Sequence, residues 1–335
     1  MEKAKLGVVG LGWVSQVVHL PILTKLKEAD LVAVCDRDKE KARLVAEKFG
    51  VRRTYYDVEQ MLAEEGSLDA VVVATSTDVH RDITLSCLKA GKDVLVEKPI
   101  ARTRAEAVEM ADAAKNLKRK LMVGMNHRFR PDTIILKSLI EAKQLGKIYY
   151  TRAGWLRRRG SDARWVTQKE KSGGGVLVDL GIVILDMALW MMGYPDVKQV
   201  SAANFNHSTK EVEDTSVVSV TLKSGSRIQI EVSWTMSLDD DVYFCHVFGT
   251  EGSASLNPLR IQKELRGTVV DLAPAKMAPQ HTFFKRSYEN ELKHFIGAVR
   301  GLHPIISPAD EAVRRMKILE NIYRSARLGK EITLR

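Results

Sequence analysis

Hydrophobic positions in the first third of the chain come as short unbroken runs separated by amphipathic stretches. The runs Leu6–Gly10, Leu31–Asp36, Ala70–Ala74, Asp93–Glu97 and Leu121–Gly124 are too short for helices and show no alternation. That is the pattern of strands buried on both faces, and hence parallel. Arg53–Tyr55 is a shorter sixth candidate. Between the runs, Ser15–Glu28, Lys39–Phe49, Val58–Ala63, Val79–Lys89 and Arg104–Lys118 read as helices. Strand–helix repetition with right-handed crossovers predicts a doubly wound α/β sheet over residues 1–125.

Beyond that point the period changes. Arg130–Gln144 reads as a helix closed by Gly146, Lys147–Trp155 as a strand, and the polar stretch Arg157–Lys171 as a loop. Val176–Met192 is apolar all round, which predicts an interior helix. Val218, Val220 and Leu222 lead to a Ser224-Gly225 turn, and Ile228, Ile230, Val232, Trp234 and Met236 follow. Gln229, Glu231, Ser233 and Thr235 take the other face, so this is an antiparallel sheet with one wet side. The last helix is signed by Ser307 as N-cap, Pro308 in its first turn, Asp310 and Glu311 near its positive end, and Gly329 just past it. Residues 126–335 therefore form a second, α+β domain.

Length and composition fit this division: 335 residues suit two domains, and 45% apolar with 28% charged residues mark a soluble globular chain. The net charge of +10 raises the question of nucleic acid. Five Trp, eight Tyr and eight Phe, scattered, provide no stacking platform, and one arginine cluster without a binding motif gives weak attraction only. Cys35, Cys87 and Cys245 form no C-x-x-C pair. They argue against a disulfide framework and a cysteine zinc site, and for a reducing cytoplasm. The charged start Met1–Lys5 is not a signal segment, and Asp179 and Asp186 interrupt the longest apolar run, so no membrane association is expected. The eight histidines are dispersed and argue for no metal.

The chemistry begins at Gly10-Leu11-Gly12-Trp13-Val14-Ser15, between the first strand and the first helix. Gly10 allows a tight turn, and Gly12 lets the backbone approach a pyrophosphate at the helix N-terminus; Ser15 replaces the usual third Gly or Ala. Asp36, ending the second strand, can accept the adenosine ribose hydroxyls and repel a 2′-phosphate, while Arg37 beside it partly offsets that repulsion. The expected cofactor is NAD, with NADP possible. Thr75-Ser76-Thr77-Asp78-Val79-His80 follows another strand and reads equally as a cofactor contact or as an N-cap at Thr77 or Asp78 with a structural His80. In Glu97-Lys98-Pro99, Pro99 stiffens the turn and fixes where Lys98 points, and the Lys98–Pro99 peptide is expected to be cis. A lysine beside a nicotinamide and shielded from water has a lowered pKa, as a proton shuttle requires.

These pieces together resemble the Gfo/Idh/MocA oxidoreductases, named for glucose–fructose oxidoreductase and inositol dehydrogenase. The matching segments are Gly10-Leu11-Gly12, His19-Leu20-Pro21, Cys35-Asp36-Arg37, Glu97-Lys98-Pro99, Asn126-His127-Arg128-Phe129-Arg130-Pro131 and Gly173-Gly174-Gly175-Val176-Leu177-Val178-Asp179-Leu180-Gly181. The resemblance implies an N-terminal Rossmann domain and a C-terminal domain with a large, mostly antiparallel open sheet used for oligomerisation, as a homodimer or homotetramer. It also implies a nicotinamide redox reaction on a sugar, polyol or related alcohol. Lys98 and Asp179 fall on its catalytic positions, and Glu97 and Asn126 join the cofactor set.

One departure stands out. The family pattern is Asp-x-Gly-x-His, with the histidine moving the substrate proton; this chain reads Asp179-Leu180-Gly181-Ile182-Val183. On a regular helix Asp179, Val183 and Asp186 share a face. Two explanations compete: Lys98 carries the proton alone with Asp179 in support, or the protein is a sensor or regulatory subunit. The first is preferred, because Lys98 and Asp179 are retained. Arg152, Arg157, Arg158, Arg159, Arg164, Lys169 and Lys171 crowd before the glycine triplet, which places a helix N-terminus nearby. They fit either an anionic substrate or a solvated face. Arg128 and Trp165 complete the candidate substrate residues, with Trp165 also reading as core.

Overall fold

The computed structural model describes residues 3–158 and 164–334. The chain forms two compact units, Met1–Asn126 with Lys285–Val313, and His127–Phe284 with Arg314–Arg335. A single cut at residue 125 does not describe these units, because residues 285–313 pack with the first. The Val123 N–H donates to the Ser307 carbonyl at 3.0 Å, and Asn126 Nδ2 donates to Ser287 Oγ at 3.0 Å.

In the first unit, strands β1 (Ala4–Val9), β2 (Ala29–Cys35), β3 (Arg53–Tyr55), β4 (Ala70–Val73), β5 (Asp93–Val96) and β6 (Leu121–Val123) form a parallel sheet in the order β3-β2-β1-β4-β5-β6. Every residue of β4 and β5 is buried, as expected of strands covered on both faces. Helices α1 (Leu20–Leu23), α2 (Lys39–Phe49), α3 (Val58–Glu64), α4 (His80–Lys89) and α5 (Arg104–Asn116) lie between the strands. The order reverses between β1 and β4, so the loops leaving their carboxyl ends open a crevice there. The helix read over Ser15–Glu28 is shorter: it starts with a π-turn, Ser15–His19, and ends at Leu23.

In the second unit, α6 (Pro131–Glu141) leads to β7 (Ile148–Leu156), a short α7 (Lys169–Ser172), a π-turn at Leu177–Gly181 and α8 (Ile182–Met191). Strands β8 (Val197–Phe205), β9 (Thr215–Leu222), β10 (Arg227–Ser233), β11 (Val242–Gly249), β12 (Ser253–Leu256), β13 (Arg260–Leu265), β14 (Thr268–Asp271) and β15 (Ile332–Thr333) follow; before the last come α9 (Phe283–Val299), nearly all of it in the first unit, and α10 (Ala309–Leu328), which starts in the first unit and continues in the second. The nine-stranded order is β14-β13-β12-β11-β7-β10-β9-β8-β15, antiparallel throughout except between β7 and β10. Val218, Val220, Leu222, Ile228, Ile230 and Val232 are buried on one face, over which α8 packs.

Three local readings change. β10 ends at Ser233, so Met236 escapes the buried face, and Ser233 is itself buried, its hydroxyl 2.8 Å from Thr215 Oγ1. Ser307 does not cap α10: its φ is +67°, outside the extended backbone of an N-cap, and its buried Oγ has no hydrogen-bond partner. Its backbone serves β6 instead. The stretch Lys169–Met191 is long and apolar enough to cross a membrane, but 89% of its most apolar window is buried in the unit. Among the described residues, Cys35, Cys87 and Cys245 are free and buried, and no metal-ligand cluster occurs.

Candidate active site

The glycine turn is built as a dinucleotide loop requires. Gly10 has φ +88°, and a Cβ there would lie 2.6 Å from Thr75 Cγ2 and 2.7 Å from the Ala74 carbonyl, so only glycine fits between the ends of β1 and β4. At Gly12 a Cβ would meet nothing within 4 Å, which leaves its backbone open to a phosphate on that side. Ser15 turns its hydroxyl inward to donate to the Gly10 carbonyl at 2.5 Å, a role that suits it to the third position of the motif. Trp13 is exposed and Val14 half-buried on the same loop.

Asp36 closes the loop from β2. Its Oδ2 accepts from the Leu11 N–H at 2.8 Å and lies 2.8 Å from Lys41 Nζ, and its Oδ1 accepts from the Asp38 N–H at 3.0 Å. Burial opposes its ionisation, but the Lys41 ammonium and the two backbone donors outweigh burial and hold its pKa below the usual carboxylate value. Arg37 beside it is exposed.

The Glu97-Lys98-Pro99 turn is pinned from two sides. His19 Nε2 lies 2.8 Å from Glu97 Oε1, and the Lys98 N–H donates to Glu97 Oε2 at 3.3 Å. Burial opposes ionisation of Glu97 as well, yet the His19 contact and the Lys98 charge leave its pKa lowered. The Lys98–Pro99 peptide is cis. His80 Nδ1 is 2.9 Å from the Pro99 carbonyl, and its Nε2 is 3.1 Å from the Thr75 carbonyl. The buried His80 thus ties the β4 and β5 loops together with both ring nitrogens, and burial depresses its pKa despite those carbonyls. Neither Thr77 nor Asp78 caps α4 by side chain; Thr77–Val79 forms a 3-10 turn, with Thr75 and Ser76 half-buried before it. Asn126, half-buried, holds Ser287. The His19 contact was not foreseen: it spans 78 residues, and the only signal was the His19-Leu20-Pro21 segment.

In the second unit the helical stretch carrying Asp179 and Asp186 does not present one acidic face. The π-turn at Leu177–Gly181 shifts its register, and the two carboxylates take different partners. Asp179 is half-buried and its Oδ2 accepts from Trp234 Nε1 at 3.2 Å. Asp186 is buried and receives Arg128 (Nε to Oδ2, 2.7 Å; Nη2 to Oδ1, 2.5 Å), Arg315 Nη1 (2.6 Å) and the Tyr194 hydroxyl (2.6 Å). Arg128 is therefore a buried structural cation, 1% exposed, with its guanidinium on Asp186.

The glycine triplet has a steric cause. A Cβ on Gly174 would strike the Tyr323 hydroxyl, and one on Gly175 the Glu213 carbonyl. Glu213 Oε1 accepts from the Gly175 and Leu177 N–H groups (3.0 and 2.9 Å) and from Tyr323 OH (2.7 Å). The anion-friendly helix end expected there is already occupied by the protein's own carboxylate. Three arginines of the basic stretch are likewise paired internally. Arg157 Nε donates to Asp241 at 3.0 Å, Arg158 to the Asp239 carbonyl at 3.2 Å, and Arg152 to Glu231 at 2.9 Å. Arg159 lies outside the described residues, and so does the Arg164 side chain; Trp165 is half-buried and Val183 buried.

A doubly wound parallel sheet with a glycine turn after its first strand and a carboxylate after its second defines a dinucleotide-binding protein. The chain belongs to the Gfo/Idh/MocA oxidoreductases: residues 4–125 match the "Oxidoreductase family, NAD-binding Rossmann fold" and residues 137–334 the "Oxidoreductase family, C-terminal alpha/beta domain". It is 31% identical to the D-glucoside 3-dehydrogenase of Escherichia coli K12, covering 98% of this chain and 97% of that protein. It is 29% identical to the scyllo-inositol 2-dehydrogenase (NAD(+)) of Bacillus subtilis 168, covering 93% and 91%. Among solved structures, GenD2 from gentamicin A biosynthesis, in complex with NAD, superposes with a TM-score of 0.86 at 27% identity, covering 100% of this chain and 97% of that one. The protein is an oxidoreductase enzyme whose cofactor is NAD.

Proposed function

We propose that the enzyme oxidises a ring hydroxyl of a neutral sugar, glucoside or polyol, or runs the reverse reduction, with Lys98 moving the hydroxyl proton. NAD, when bound, would supply the hydride acceptor or donor. Gly10, Gly12, Trp13 and Val14 would cradle its pyrophosphate, and Asp36 its adenosine ribose; Thr75, Ser76, Thr77, Glu97 and Asn126 line the same end of the sheet. The observation that carries the proton assignment is the turn held by His19 and His80, which fixes the main chain from which the Lys98 amine projects. In the family pattern a histidine stands where this chain has Val183; a hydrocarbon moves no proton, and one titratable group suffices for one proton. Asp179, steadied by Trp234, is the group to receive a substrate hydroxyl.

Internal pairing of Arg152, Arg157 and Arg158, and Glu213 at the helix end, support a neutral substrate over an anionic one. The two relatives, a glucoside and an inositol dehydrogenase by name, point the same way. Exposed Tyr149, Phe205 and Val217 on the large sheet support assembly into a homo-oligomer. The buried free cysteines Cys35, Cys87 and Cys245 support a cytoplasmic setting.

The test is turnover with NAD across neutral sugars, glucosides, inositols, uronates and sugar phosphates, for wild type and Lys98→Ala. We expect turnover on neutral members and a loss of about 10²–10⁴-fold in Lys98→Ala with NAD affinity kept. Turnover confined to uronates or phosphates would overturn the neutral substrate. A fully active Lys98→Ala would overturn the proton assignment.

A further inference from the structure

Lys41, the partner of Asp36, has no place in the reaction described above. Lys41 stands in the first turn of α2, and its backbone N–H donates to the N-cap Asp38 Oδ1 at 3.0 Å. Its side chain, 36% exposed, returns to Asp36, Nζ to Oδ2 at 2.8 Å. Lys41 is thus held at two points, and a compensating positive charge sits on the carboxylate that is expected to exclude a 2′-phosphate. Arg37 is exposed on the adjoining residue, and Lys39 lies over the Tyr56 ring at 5.5 Å, so the neighbourhood is rich in cations.

We propose that Lys41 is a specificity-determining residue for the cofactor: by neutralising Asp36 it makes the site tolerate NADP beside NAD. The inference rests on the assignment of Asp36 to the adenosine ribose. The physical argument is one of charge. An unpaired carboxylate opposes a phosphate brought to the neighbouring ribose oxygen, and a lysine on that carboxylate cancels the repulsion and supplies a donor to the phosphate. A ribose hydroxyl is neutral and needs only one free acceptor position. Asp36 retains one, because a carboxylate offers about four and three are taken. NAD is therefore insensitive to Lys41, and NADP depends on it.

The experiment is a fluorescence titration of NAD and NADP against wild type, Lys41→Met, Lys41→Arg and Asp36→Asn, without substrate. Lys41→Met is expected to weaken NADP about tenfold while NAD changes less than about threefold. Lys41→Arg keeps the charge and should keep the wild-type ratio of the two affinities. A ratio unchanged within about twofold in Lys41→Met overturns the proposal. Asp36→Asn separates the two levels. If it shifts the NAD-to-NADP ratio while Lys41→Met does not, only the Lys41 inference fails. If it shifts neither affinity, the ribose assignment itself falls.

Discussion

Asp186 and Glu213 are both buried carboxylates, both hold the same helical stretch, and they titrate in opposite directions. Asp186 grips its middle and is pushed down to about 2; burial alone would raise it, but the Arg128 and Arg315 charges overcome that penalty. Glu213 grips the start, where its partners are two backbone N–H groups and one tyrosine hydroxyl, all uncharged. Those donors do not cancel desolvation, and its pKa rises. In this pair the uncharged donors on Glu213 fall short of offsetting burial, while the two guanidinium charges on Asp186 more than offset it. Asp179, between the two along the chain, is half-buried and accepts from an indole N–H.

The largest test of this contrast is Asp186→Ala. It strands two buried guanidinium groups, and Arg315 Nε and Nη2 already have no hydrogen-bond partner. A loss of about 3–5 kcal/mol in urea unfolding is expected. A loss under about 1 kcal/mol would mean the cluster is not the strut we describe.

Acid titration reads the same pair of groups. The depressed Asp186 pKa contributes stability that is present above the unfolded carboxylate value near 3.9 and lost as pH falls towards about 2, an effect of about 2–3 kcal/mol. The raised Glu213 pKa works the other way. Its contribution is present below the unfolded value near 4.3 and is lost as pH rises through its folded value.

Glu213→Gln should show the smallest effect, within about 1 kcal/mol of wild type at pH 7.5, because the amide oxygen still accepts from Gly175 and Leu177. Relative to wild type it should lose ground as pH falls from 7.5 to 4.5, because the raised carboxyl pKa favours the wild-type fold increasingly towards acid. Paired urea curves at the two pH values check this, and a difference moving the other way would refute the assigned shift.

Much of the first unit was legible along the chain because its determinants are local. Short apolar runs, the Gly10 turn, the Asp36 strand end and the Lys98-Pro99 turn are each a few consecutive residues, and all stand where they were read. The second unit was legible in its alternation and apolar helix but not in its polar contacts. Asp179 and Asp186 looked equivalent by helical spacing until a π-turn and Arg315, 129 residues away, separated them. The glycine triplet read as an anion site until Glu213, 38 residues on, filled it.

Fold class, the tight turn at Gly10 and the Glu97-Lys98-Pro99 turn were written in the chain itself, because periodicity and turn chemistry act over a few residues. The tertiary structure alone decided which charges are partnered. Arg128 went to Asp186, Arg157 to Asp241, Glu97 to His19 and Asp36 to Lys41. A polar group takes the partner that the fold brings to it, and that choice leaves no local trace along the chain.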